Sequence, residues 1–219
     1  MISAIVYISK EDYSYLETLK SLQNQVFDDK EIIAICDACP LDTLQKIRGV
    51  TDKVVAFKTF KGAVVSKNEG AKRARGEILV FVNSGARLSQ DVFSNIWNTR
   101  DQWVVGTCKV ESPDEEAQYR EVFEFKNKHL VPRGEHNGVV FCKKLTFEVL
   151  DKFNGKVLDE NKDLIQRFRK KGRYAILDTP VYGSVEDYVG KSAFKAKIIA
   201  FKKFFKSNKS QLVQSEEEL

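Results

Sequence analysis

No apolar run in this 219-residue chain approaches the ~20 residues that a membrane-spanning helix requires. The opening Met1-Ile-Ser-Ala-Ile-Val-Tyr7 is too short and too uncharged for a signal peptide, so a cytoplasmic protein is the default expectation. Internal repeats and low-complexity tracts are also missing. Histidine is scarce, with two residues in all, and of the four cysteines Cys108 and Cys142 stand isolated. That leaves little material for a zinc site. A uniformly basic surface is absent too. The net charge of +5 is concentrated in residues 190–209, which hold seven lysines and no acid, while the last ten residues hold three glutamates and no base. Residues 1–189 are therefore close to neutral, which argues against a nucleic-acid-binding protein.

What is present describes a soluble globular domain: 42% hydrophobic and 31% charged residues. Apolar strands alternate with amphipathic helices. Strands are expected at 2–8, 31–36, 53–57 and 77–82, with helices at about 12–25, 41–48 and 63–75 between them. Such alternation predicts a mostly parallel sheet with right-handed crossovers. Ser89 is expected to cap a helix with Val92, Phe93, Ile96 and Trp97 on one face. A strand at 103–110, a polar helix near 114–129 and a loop at 131–136 follow. Then come a strand at 137–142 and a helix at 146–153. Asp159 is positioned to cap a helix running to Lys171, Tyr174–Asp178 reads as the last strand, and Pro180 is expected to end regular structure.

The pair Cys36-Asp37-Ala38-Cys39 follows an apolar strand. Three readings are open for it: small residues at a strand end, a thioredoxin-like redox pair, or half of a metal site.

Residues 62–88, GAVVSKNEGAKRARGEILVFVNSGARL, carry the strongest signal. Lys67-Asn68-Glu69-Gly70, Ala74-Arg75-Gly76-Glu77 and Phe81-Val82 resemble the middle of a family 2 glycosyltransferase domain, the GT-A fold. The resemblance extends over roughly residues 2–185. It implies a Rossmann-like α/β domain over 1–189 that transfers a sugar from a nucleoside-diphosphate sugar to a hydroxyl acceptor with inversion. It also implies site residues. Asp37 matches the carboxylate that reads the nucleotide base. Lys67 and Asn68 occupy the family's Arg-Asn position, and Asn83 and Ser84 line the strand end, with Arg87 as a second phosphate partner. His136 lies on the acceptor side.

The same resemblance marks departures. The family's strand ends in Asp-x-Asp, which holds Mg²⁺ or Mn²⁺ on the donor diphosphate; here Asn83-Ser84-Gly85 stands there. Gly85 offers no carboxylate to a hard cation, so a metal-independent transfer is expected. The family's catalytic Asp becomes Asn161, leaving Glu160 or Asp159 as candidate bases. Gly183 replaces a histidine common near the metal. A catalytically silent sugar-nucleotide-binding or scaffolding subunit is the competing reading, and a Cys36/Cys39 redox protein a smaller one.

Residues 190–206 predict a basic amphipathic helix, with Phe194, Ile198, Phe201 and Phe205 at helical spacing among lysines. It can lie on a membrane surface, which would suit a lipid-linked acceptor, or pack on the domain or a partner protein through residues 192–206. Residues 207–219 read as a frayed tail.

Overall fold

The computed structural model describes residues 1–9, 14–51, 53–112, 119–157, 159–183, 188, 190–192, 194–202 and 205. The expected tail at 207–219 lies outside them, as do Lys203 and Lys206.

The chain runs β1 (Ile2–Ser9), α1 (Tyr15–Gln23), β2 (Lys30–Asp37), α2 (Leu41–Arg48), β3 (Lys53–Phe57), α3 (Ala63–Arg73), β4 (Ile78–Asn83) and β5 (Arg87–Leu88). It continues with α4 (Val92–Asn98), β6 (Val105–Glu111), α5 (Arg120–Phe125), β7 (Val139–Lys143), α6 (Lys144–Val149), α7 (Glu160–Arg169) and β8 (Tyr174–Tyr182). The strands form one sheet in the order β3-β2-β1-β4-β7-β6-β8-β5. Strands β1 to β4 are mutually parallel, whereas β7 runs antiparallel to both β4 and β6. The sheet is thus mixed.

Alternation along each strand divides the core into two layers. Ala4, Val6, Val80 and Val82 face Leu19 and Leu22 of α1 and Phe93 and Ile96 of α4. Ile5, Ile33, Leu79 and Phe81 face Ala71 of α3 and Leu164, Ile165 and Phe168 of α7. Near-continuous apolar strands are what burial on both faces demands. A third cluster, at the end of β6, joins Val110, Val122, Phe123, Leu130 and Tyr188 to Ala196 and Ala200 of a helix over 194–202.

Several boundaries differ from expectation for identifiable reasons. Pro180 lies inside β8 rather than ending it. The register against β6 shifts between the Cys108–Leu177 and Val110–Val181 pairs, so Asp178-Thr179-Pro180 bulges where the missing proline N–H breaks no ladder bond. The helix expected to reach Phe153 stops at Val149, because Asp151 and Lys152 adopt φ of 61° and 55°. Ser89 caps nothing with its hydroxyl; its carbonyl accepts from Val92 N–H, and Asp91 stands at the helix start. The polar helix expected near 114–129 is α5 followed by a π-helical turn, Lys126–Leu130, with residues 113–118 outside the described set.

This arrangement places Ser9, Asp37, Phe57 and Asn83, the last residues of four parallel strands, on one edge of the sheet. Antiparallel β7 brings its first residue, Val139, to the same edge, opposite Val82.

Candidate active site

The site is built on that carboxyl edge, where open α/β sheets leave a crevice. Lys67, in the second turn of α3, is 2% exposed. Its Nζ donates to Glu160 Oε1 at 2.7 Å and to Asn161 Oδ1 at 3.2 Å, and lies 3.5 Å from Asn83 Oδ1. Asn161 Nδ2 also approaches Asn83 Oδ1, at 3.5 Å. Three acceptors thus surround the three donors of one ammonium. The Phe153 ring packs beneath it, 5.4 Å from Nζ to the centroid. Lys67, Asn83 and Glu160, separate in sequence, meet at one point, and Asn161 completes the group.

Asn68 faces a different task. Its side-chain amide donates to Phe153 O and accepts from Phe153 N–H, both at 3.1 Å, so it ties the α6–α7 loop to α3. That loop holds Phe153 edge-on to Phe81, with centroids 4.6 Å apart.

Asp159 and His136 form a neighbouring pair, with Nε2 and Oδ1 3.4 Å apart. The same Oδ1 accepts from Lys162 N–H and caps α7. Burial pushes the Asp159 carboxyl up, but the hydrogen bond and charge of His136, with the Lys162 N–H and charge, outweigh it and hold it at about 2. His136 Nδ1 and Asn137 Oδ1 are buried without a partner among the described residues.

Asp37 is fully buried at the end of β2. Its two oxygens accept from Lys61 N–H and Gly62 N–H at 2.8 Å each, and Tyr7 OH donates to Oδ2 at 3.3 Å. Both oxygens are therefore engaged in fixing the start of α3. Cys36 and Cys39, on either side of it, are joined in a disulfide, with Cα atoms 5.5 Å apart. The remaining thiols are buried, and burial alone pushes Cys108 up to about 12. Arg87 lies on β5, paired with Tyr182, beyond the 83–86 turn.

The turn itself explains the missing carboxylate. Ala86 N–H closes it onto Asn83 O at 3.2 Å, and Gly85 has φ 87°. A left-handed third residue is what a type II turn assigns to glycine. Gly183 is equally constrained, since a Cβ there would come within 2.7 Å of Val110 and 3.0 Å of Phe123. At Gly183 space is lacking, whereas at Gly85, where a Cβ would meet nothing nearer than 3.6 Å, the left-handed backbone alone disfavours a side chain.

The donor set does not suit a divalent metal. The turn offers one amide oxygen, already facing an ammonium, and the Ser84 hydroxyl, with no carboxylate. Among the described residues no three His, Cys, Asp or Glu side chains cluster as ligands.

A family model described as glycosyl transferase family 2 matches residues 3–153, more than two thirds of the chain. The chain belongs to glycosyl transferase family 2. Solved structures agree on the fold. A mannosyltransferase from Pyrobaculum calidifontis, in complex with GDP-Man and Mn²⁺, superposes with a TM-score of 0.68 at 16% identity. That match covers 86% of this chain and 58% of the other. S. aureus TarS residues 1–349, in complex with UDP-GlcNAc, gives 0.66 at 18% identity over 83% of this chain and 58% of that one. The chain spans only 37% of the longer TarS structure. No curated protein sequence matches the chain. The fold is therefore the GT-A arrangement expected from residues 62–88.

The buried Lys162 was not legible in the sequence as part of this site. It is wholly buried in the first turn of α7, and burial lowers its pKa against the opposing pull of Glu135 and Asp159. A lysine in a polar helix start normally reads as solvated, and nothing in the spacing distinguishes it.

Proposed function

We propose that this protein transfers a sugar from a nucleoside-diphosphate sugar to a hydroxyl acceptor, with inversion and without a divalent metal. The observation that supports this reading most is the Lys67 ammonium at the strand end, 2.7 Å from Glu160 and 3.5 Å from Asn83.

In this reading the diphosphate lies along the carboxyl edge near α3. Arg87 is the direct partner of the leaving diphosphate, while the buried Lys67, its three donors held by Asn83, Glu160 and Asn161, adds positive charge from within the strand end. Glu160 takes the proton from the acceptor hydroxyl as its oxygen bonds to the sugar's anomeric carbon. The bond from that carbon to the diphosphate oxygen breaks on the opposite face, and the nucleoside diphosphate departs. Asp159, held at about 2, is too weak a base for this step; it positions His136 on the acceptor side and caps the helix that carries Glu160. Asn68 and Ser84 shape the donor cleft, and Asp37 sets the start of α3 next to the base.

GDP-Man and UDP-GlcNAc, bound by the structural neighbours, are the first donors to try. Turnover of either in EDTA, with release of the nucleoside diphosphate, tests the reading. Binding without turnover would instead favour a silent sugar-nucleotide-binding subunit.

A further inference from the structure

We propose that the outward face of the C-terminal helix docks on an anionic lipid surface, a role that stands independently of the transferase reading. The helix over 194–202 rests on the domain through two alanines, with Ile199 beside them. Ala196 and Ala200 are 0% and 4% exposed, packed in the cluster of Val110, Val122, Phe123 and Tyr188. Lys197 Nζ adds an ion pair to Glu121 Oε2 of α5 at 2.8 Å. At about 100° per residue, Phe194, Ile198, Phe201 and Phe205 project from roughly the opposite side.

Among the described residues of the segment, these three phenylalanines and Ile198 face away from the protein, while Ile199 packs beside the alanines. Phe194 is 72% exposed and Phe201 48%, with Ile198 and Phe205 also exposed. A helix evolved only to cover the domain would turn its phenylalanines inward and its alanines out. Lys195 and Lys202, both exposed, flank the stripe, and residues 190–209 contain seven lysines and no acid. An apolar stripe bordered by Lys195 and Lys202, with the segment's own residues supplying no acid, matches a layer that is apolar below and anionic above. Phenylalanines enter the acyl boundary while lysine stems extend to the lipid phosphates. A protein partner would have to present a dense acidic rim to do the same.

The position of the helix gives the surface a direction. Asn127, just after α5, accepts from Val110 N–H and donates to Val110 O, which fixes this layer to the carboxyl end of β6. Through antiparallel β7, the carboxyl end of β6 shares the sheet edge with Asn83. The lipid-facing stripe therefore sits at the same end of the sheet as the candidate site.

Co-sedimentation of the full chain with phosphatidylcholine vesicles, with and without phosphatidylglycerol, tests this. The wild-type chain is expected to pellet only when phosphatidylglycerol is present. Pelleting should fall at least about tenfold in Phe194→Ser/Phe201→Ser, in Lys195→Glu/Lys202→Glu, and at high salt. Because the substituted side chains are exposed, the melting temperature should hold, which separates lost docking from lost folding. Wild-type protein left in the supernatant, pelleting equally on phosphatidylcholine alone, or variants that pellet like wild type would each overturn the proposal. So would a dimer in solution that the phenylalanine variant converts to monomer without any vesicle binding, since the face would then belong to a second copy.

Discussion

Lys67 Nζ donates to Glu160 Oε1 at 2.7 Å across 93 positions of sequence, inside a pocket that also holds Asn83 and Asn161. The pair joins α3 to α7 over the end of β4. Lys67 is almost wholly buried, so removing its charge leaves a carboxylate and two amide oxygens without their shared donor. Lys67→Met is expected to destabilise the protein by about 3 kcal/mol, the range for breaking a buried pair from one side. Urea unfolding at neutral pH measures it; a change within ~0.5 kcal/mol, typical of a surface site, would contradict the burial.

Glu160→Gln separates chemistry from structure. The amide can still accept from Lys67 but leaves the buried ammonium without its counter-charge, so unfolding should shift by up to about 3 kcal/mol. Loss of the proton acceptor should lower turnover by about 10²- to 10⁴-fold. Asp159→Asn, by comparison, is expected to act mainly on stability and acceptor KM, through the helix cap and His136.

Gly85 shows why one family signature cannot simply be written back. Its φ of 87° disfavours any side chain, at roughly 1–2 kcal/mol for an L-residue. Gly85→Asp is expected to lose that much stability and to gain no Mn²⁺-dependent activity, because Lys67 still faces Asn83. Activity assayed with Mn²⁺ and with EDTA, alongside thermal melting, checks both halves.

At the opposite edge of the sheet, Glu31 is buried and accepts from Ser3 Oγ, from Arg75 N–H, and from Lys53. Burial pushes its carboxyl up, but Lys53, Ser3 and the Arg75 N–H outweigh it and bring it from 4.5 to about 2. A carboxyl depressed in the folded state stabilises above its unfolded pKa and loses that contribution as pH falls through the folded one. Stability should therefore decline between about 4.5 and about 2, and Glu31→Gln should flatten that slope in urea titrations at successive pH values.

The fold was legible because its signals are local. The apolar runs of β1, β2 and β4 and the stripes of α1, α4 and α7 each carry their own period, and residues 62–88 add family motifs. Pro180 misled because a proline's effect depends on whether its N–H faces a ladder, and the bulge against β6 is a tertiary fact. The site was only partly legible. Lys67, Asn83 and Glu160 could be nominated separately from the resemblance, but their convergence depends on how α7 packs over the edge of the sheet. Likewise, the 190–206 segment showed an amphipathic stripe, while its outward direction follows from Ala196 and Ala200 fitting against Val122 and Phe123. Sequence gives a helix its faces; packing chooses which one is buried.

The central claim is a donor cleft in which Lys67 replaces the metal. Calorimetric titration of UDP, GDP, UDP-GlcNAc and GDP-Man into the wild-type chain, in Mn²⁺ and in EDTA, tests it most directly. The account predicts binding by at least one of these that persists unchanged in EDTA and is lost in Lys67→Met. Binding that requires Mn²⁺, or no binding by any of the four under either condition, would contradict it.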